Sequence, residues 1–390
     1  MIEYGLLVLL LPVAAVSGWY AGRRGSARHA GQKVSRLSTT YFRGLNYLLN
    51  EQPDKAIEVF LKIAEVDKRT VETQFALGNL FRRRGEVDRA IRVHQNLIAR
   101  QGLTDEHKSQ ALLELGEDYM RAGLLDRAET LFCDLVAVSH CAPDALRHLI
   151  AIYQQERDWH KAIEHASRLE EVTGESSARM VAQFHCELAE QARIAGRIEE
   201  ARDQLKSAFE VEANCVRAGL IEGKLDILEG QDAAAIRSLE RVARHDPDII
   251  PELLKPLMQA YERREDWHRA RAFLAETLER HPGVSVLLAL TRLIEREDGA
   301  DAAIDFLTNQ LRRRPSVRGQ GALIELSLAK RPQEERDVLL VLRQLCDQLV
   351  AGAPAYRCGH CGFGARSHHW QCPSCKNWGT VKPIHGAAGE

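Results

Sequence analysis

The 390-residue chain sets 53 Lys+Arg against 55 Asp+Glu, a balance that argues against nucleic acid as the partner, since nucleic acid favours a basic surface. Aromatic residues make up 6% while Ala, Leu, Glu and Arg dominate, which favours helix over sheet. Nine cysteines, an odd number without a regular framework, argue against a disulfide scaffold and point to a reducing compartment.

The first element is apolar. Gly5 to Ala21 reads GLLVLLLPVAAVSGWYA without a charge, and as a helix it reaches about 25 Å, the short end of a bilayer span. Trp19 and Tyr20 stand where an aromatic belt anchors such a helix. Signal peptides carry their positive charge before the apolar run. Here Glu3 precedes it, and Arg23, Arg24, Arg28, Lys33 and Arg36 follow it. The expectation is a retained transmembrane anchor over residues 1–21 and a basic cytoplasmic tether over 22–36. The bulk of the chain is then on the cytoplasmic side of a single-pass membrane protein.

From residue 37 the chain repeats itself. Gly44, Tyr47, Ala56, Phe60 and Ile63 recur 34 residues later as Gly78, Phe81, Ala90, His94 and Leu97. Gly116, Tyr119, Ala128, Phe132 and Leu135 keep the same offsets after a short insertion. Five weaker units follow, marked by Ala162, Ala201, Ala235, Ala270 and Ala303. This stretch resembles the tetratricopeptide repeat family, whose unit is two antiparallel helices. The small residue and the alanine let the helices approach closely, and the large positions fill the seam with the next unit. No such unit buries its apolar face alone, so stability comes from stacking. Glycines such as Gly85, Gly123, Gly196 and Gly230 suit the end of each first helix, and Pro247, Pro282 and Pro315 suit the end of the second. Residues 37–350 are read as this array with capping helices, the last stretch carrying Leu323, Leu326, Leu339, Leu342, Leu345 and Leu349. Stacked repeats leave a groove lined by first helices, and Asn79, Arg82 and Arg83 are candidates for contact with a partner there.

Residues 356–384 form a separate module. Cys358-x-x-Cys361 and Cys372-x-x-Cys375 are separated by ten residues, a spacing that can place four thiolates around one metal. So short a stretch cannot build a sufficient core, so the metal must supply much of its folding energy. A four-thiolate tetrahedron suits zinc or iron. The segment resembles rubredoxin knuckles, with a shorter loop and with Lys376 where glycine is usual. Five other cysteines (Cys133, Cys141, Cys186, Cys215, Cys346) lie in helical segments and read as small core residues. No catalytic triad order, carboxylate pair or dinucleotide fingerprint stands out, and a closed thiolate site leaves no open coordination position. The chain reads as a non-enzyme.

The fold class expected is all-α: an N-terminal transmembrane helix, a tetratricopeptide-repeat superhelix and a small C-terminal four-cysteine rubredoxin-like or zinc-ribbon module. Anchor, repeats, then YRCGHCGF and WQCPSCKNWGT together resemble the lipopolysaccharide assembly protein B family of Gram-negative bacteria. That resemblance implies an inner-membrane adaptor that modulates lipopolysaccharide synthesis. Its implied partners are a membrane-bound AAA+ protease, the deacetylase that commits precursors to lipid A, and other inner-membrane lipopolysaccharide assembly proteins. It also implies one iron ion per chain on Cys358, Cys361, Cys372 and Cys375, zinc being the alternative. Two other classes stay open: an electron-transfer protein with an iron–thiolate centre, and a nucleic-acid-binding ribbon on a helical scaffold.

Overall fold

The computed structural model describes residues 40–390 apart from 48, 51, 67–70, 139, 329–332 and 388. The chain divides into two compact units between Glu175 and Ser176. The first holds α1 (residues 40–47), α2 (Pro53–Val66), α3 (Val71–Arg83), α4 (Val87–Ile98), α5 (Asp105–Ala122), α6 (Leu125–Val138), α7 (Ala142–Glu156) and α8 (Trp159–Thr173). The second holds α9 (Ala178–Ile194), α10 (Ile198–Val211), α11 (Val216–Leu228), α12 (Asp232–His245), a 3-10 turn (Pro247–Ile249), α13 (Ile250–Arg263), α14 (Trp267–Arg280), α15 (Val284–Asp298), α16 (Ala300–Arg313), α17 (Val317–Leu328) and α18 (Gln333–Ala351). It closes with three short strands, β1 (Tyr356–Cys358), β2 (Gly364–Ala365) and β3 (Val381–Pro383), antiparallel in the order β2-β1-β3.

Each odd-numbered helix packs against the even-numbered helix that follows it, and the sequence period explains why. The eight marker alanines, Ala56, Ala90, Ala128, Ala162, Ala201, Ala235, Ala270 and Ala303, are all 0% exposed. Opposite them the small residue of the first helix meets the large residue sixteen positions on. A Cβ added to Gly116 would lie 2.4 Å from the Phe132 ring, one on Gly78 2.3 Å from His94, and one on Gly223 2.7 Å from Leu239. The pair therefore closes to a distance that only glycine permits. The first helices end where expected: Gly123 has φ 76° and Gly196 φ 74°. In the fourth and seventh units Arg157 and Glu265 take the same left-handed conformation, at φ 60° and 55°, which costs a side chain more than it costs glycine.

Neighbouring units are also bonded through polar groups. The Tyr153 hydroxyl donates to Glu129 Oε1 at 2.6 Å. Tyr261 donates to the buried Glu240 at 2.5 Å, and Arg269 grips the same carboxylate at 3.0 Å. These bonds join the second helix of one unit to the next unit, so they fix the stacking as well as the hairpin.

One expectation changes. Among the described residues no helix is long and apolar enough to cross a membrane. Most described helices keep their apolar residues to one face and carry charge on the others, and α11, buried on nearly every side, runs for 13 residues and includes Arg217, Lys224 and Asp226; none offers the roughly 20 consecutive apolar residues a span needs. The fold is thus an all-α repeat array with a four-cysteine module. The transmembrane helix, the single-pass inner-membrane location with a cytoplasmic side and the membrane as a partner are corrected accordingly. Residues 1–21 and 22–36, on which those expectations rested, lie outside the described residues. At the end of the array the last two helices differ in burial. Leu323 and Leu326 of α17 pack against Leu307 and Leu311. On α18, in contrast, Leu342, Leu345 and Leu349 are 44%, 49% and 63% exposed.

Candidate metal centre and its seat on the repeats

The module is one fourteen-residue knuckle used twice. Gly362 donates its N–H to the Cys358 carbonyl at 3.0 Å, and Lys376, fourteen residues on, donates to the Cys372 carbonyl at 2.9 Å. Cys358 N–H donates to Phe363 O at 2.8 Å and Cys372 N–H to Asn377 O at 2.9 Å. The pairing of Arg357 with Gly364 recurs as the bridge from Gln371 to Trp378. Both turns need a left-handed residue after the second cysteine. Gly362 supplies it at φ 79°, and Lys376 does so at φ 60° despite its side chain.

The two knuckles face each other through sulfur. Cys358 Sγ lies 3.7 Å from Cys375 Sγ, and Cys361 Sγ lies 3.7 Å from Cys372 Sγ. All four ligand atoms fall within 4.8 Å of one another, and among the described residues this is the one such group. A tetrahedron with metal–sulfur bonds of about 2.3 Å has an edge of about 3.8 Å, so the four thiols fit a rubredoxin-type iron or zinc site. The surroundings of Cys358 and Cys361 favour thiolate. The Thr380 hydroxyl, 3.3 Å from Cys358 Sγ, and the Cys361 N–H pull Cys358 down to about 6. Cys361 is lowered by the Phe363 N–H. At Cys375 the Asn377 N–H works in the same direction, but burial and the three neighbouring thiols outweigh it and push the group up to about 11. Four sulfurs this close shed all their protons only with a cation among them. Such an ion supplies the cross-link between the two knuckles and leaves no open position for chemistry. His360 is exposed and His368 is packed edge-on against Tyr356 and Trp370; neither histidine belongs to the sulfur group.

The module lies against helices far from it in sequence. The buried Arg217 of α11 holds its guanidinium 5.5 Å from the Trp370 ring and 5.7 Å from the Trp378 ring, and donates to Glu187 at 2.8 Å. Trp378 meets Phe184 of α9 edge to face. Tyr356 donates to Glu252 of α13 at 2.6 Å, and Lys382 pairs with Asp246 at 2.9 Å and Asp248 at 3.3 Å. The Ala387 carbonyl accepts from the Val317 N–H at 2.7 Å. Sequence reasoning placed the four cysteines and missed Arg217, Glu252 and Asp246. Each is an ordinary helix or turn residue until the module is set against it.

The candidate partner residues lie in the first unit. Arg82 donates to Asp118 at 2.8 Å, to Glu114 at 2.6 Å and to Asn79 Oδ1 at 2.8 Å, and Asn79 reaches Glu114 at 3.4 Å. His94, fully buried, places Nδ1 2.6 Å from the other Asp118 oxygen. The structure thus brings Asn79 and Arg82 together as a bond between α3 and α5, and leaves Arg83 exposed.

Known proteins share both parts. Residues 356–383 match the rubredoxin metal binding domain family and residues 75–108 match the tetratricopeptide repeat family. A repeat array carrying such a ribbon is the composition of a non-catalytic, structural protein. Lipopolysaccharide assembly protein B of Escherichia coli strain K12 is 40% identical over 98% of this chain and 99% of its own length. The protein of the same name from Haemophilus influenzae is 35% identical over 98% of each chain.

Proposed function

This chain belongs to the lipopolysaccharide assembly protein B family, and from that premise we propose that it is a non-catalytic scaffold acting in lipopolysaccharide synthesis, which brings the lipid A-committing deacetylase to an AAA+ protease for degradation. The observation that carries the reading is likeness over nearly the whole of both chains, repeats and metal module together. Physically, a scaffold that holds two proteins at once lets one meet the other at high effective concentration. A rate can rise in this way without any catalytic group on the scaffold. Partner contact extends in this reading to the α3 face that carries Asn79, Arg82 and Arg83. Arg83 is the exposed member there, while Asn79 and Arg82 hold that face in place.

The test is the half-life of the deacetylase after protein synthesis is stopped, in cells with and without this chain. The expected outcome is a half-life several-fold longer when the chain is absent. An unchanged half-life would remove the proposal.

A further inference from the structure

The first helices of the seventh and eighth units, α13 and α15, together with α17 enclose a groove of about 1000 Å³. Its floor is apolar, from Leu254, Met258 and Leu293. Its rim is cationic, from Lys255, Arg292 and Arg318. The acidic lining residue, Glu262, is already matched by Arg296 at 3.7 Å, and that guanidinium also lies 3.7 Å from the Trp267 ring centroid. Lys255 and Arg292 are exposed, and neither has an ion-pair or hydrogen-bond partner among the described residues. Of the four lining cations, Arg296 faces Glu262 and Arg318 faces Glu390, which leaves Lys255 and Arg292 without a carboxylate.

One end of the groove already holds a carboxylate. The Glu390 side chain, 8% exposed, accepts from the Ser285 N–H at 2.8 Å, the Ser285 hydroxyl at 2.7 Å and Arg318 at 3.0 Å. Ser285 stands in the first turn of α15, where free N–H groups and the helix dipole favour an anion. The chain's own tail thus displays the chemistry that this end accepts, and it satisfies Arg318 in cis. Lys255 and Arg292 are left with the same chemistry and no carboxylate.

We propose that this groove binds an acidic peptide segment of a partner protein, with an apolar side chain on the Leu254–Met258–Leu293 floor and carboxylates on Lys255 and Arg292. The proposal rests on the scaffold reading and names the class of partner for it. A concave channel with an apolar floor suits an extended or helical peptide better than it suits a flat surface. Glu390 acts as a tethered competitor at the Arg318 end.

Fluorescence anisotropy on the full-length, metal-loaded chain tests this. The probes are a short fluorescein-labelled peptide alternating Asp and Glu with Leu and Phe, the same peptide with Lys at every acidic position, and labelled oligothymidine. The acidic peptide binds at least about tenfold more tightly than its Lys counterpart, and its affinity falls as salt rises. The double variant K255E/R292E loses at least about tenfold in affinity for the acidic peptide with its thermal midpoint unchanged, because neither side chain holds anything in place. Glu390→Gln tightens the acidic peptide several-fold by releasing Arg318. Equal affinity for the two peptides, tighter binding of oligothymidine, or full affinity in K255E/R292E overturns the proposal. Unchanged affinity in Glu390→Gln overturns the part given to Arg318. The assay contains only the chain and a probe, so its failure leaves the half-life test of the scaffold standing, and the converse holds as well.

Discussion

In the array, burial is spread thinly and repeated: eight alanines stand at 0% exposure, and in four hairpins a glycine of the first helix lies directly against a large side chain of the second. In the module, the buried cluster is Tyr356, Cys358, Ala365, Cys372 and Val381, and two of those five are sulfur ligands. The array draws stability from many small apolar contacts, any one of which can be weakened. The module has almost no apolar core of its own and is held by four thiolates on one side and by the repeats on the other. The difference shows how the same chain can use the hydrophobic effect where length allows it and coordination chemistry where length does not.

The largest effect that would test this contrast is removal of one thiolate. Cys358→Ser should abolish stoichiometric metal and unfold the module, since structural metal sites of this kind contribute on the order of 10 kcal/mol. Metal content by emission spectroscopy and the fluorescence of Trp370 and Trp378 report this directly. The helical circular dichroism of the array should survive, and its loss would break the comparison by making the repeats depend on the module. Cys133→Ser, at an exposed cysteine outside the sulfur group, should change neither reading.

A smaller effect belongs to the array. Gly116→Ala places a methyl group 2.4 Å from the Phe132 ring, and overpacking of that kind costs about 1–3 kcal/mol. Chemical denaturation should show a lower midpoint with the metal content intact. A midpoint equal to that of the parent would mean that the hairpins are looser than their spacing requires.

The smallest effect sharpens the comparison inside the module. Lys376 holds φ 60° in the second knuckle, where Gly362 holds φ 79° in the first. Lys376→Gly relieves a left-handed side chain and should slow metal loss to a chelator, by an amount equivalent to about 1 kcal/mol. Faster loss would show that the lysine contributes more to the knuckle than its backbone conformation costs it.

Much of this was legible in the residues. The 34-residue offset carried the hairpins because a helix pair needs its small residues at fixed register, and Ala162 or Ala303 mark units whose other positions have drifted. The cysteine spacing carried the site because two knuckles have few ways to converge. The groove on α13, α15 and α17 was not legible. Lys255, Arg292 and Arg318 sit on three helices separated by whole repeats, and no local pattern joins them. Arg217 was silent for the same reason: its meaning depends on Trp370 and Trp378, more than 150 residues later. The exposure of Leu342, Leu345 and Leu349 on α18 was not legible either, because periodicity shows that a helix has an apolar face and does not show whether anything covers it. The apolar N-terminal run supported a membrane span in the sequence, whereas the described fold contains none.

By itself, then, the sequence determined what depends on neighbours within one repeat: the helix pairs, their glycine turns, and the four sulfurs that two short knuckles can gather. Only the tertiary structure decided where the module rests, which cations share a groove, and that Glu390 sits among them. Those are distances between segments far apart in the chain, and they are set by how the repeats stack, a sum of many weak contacts that no single residue encodes.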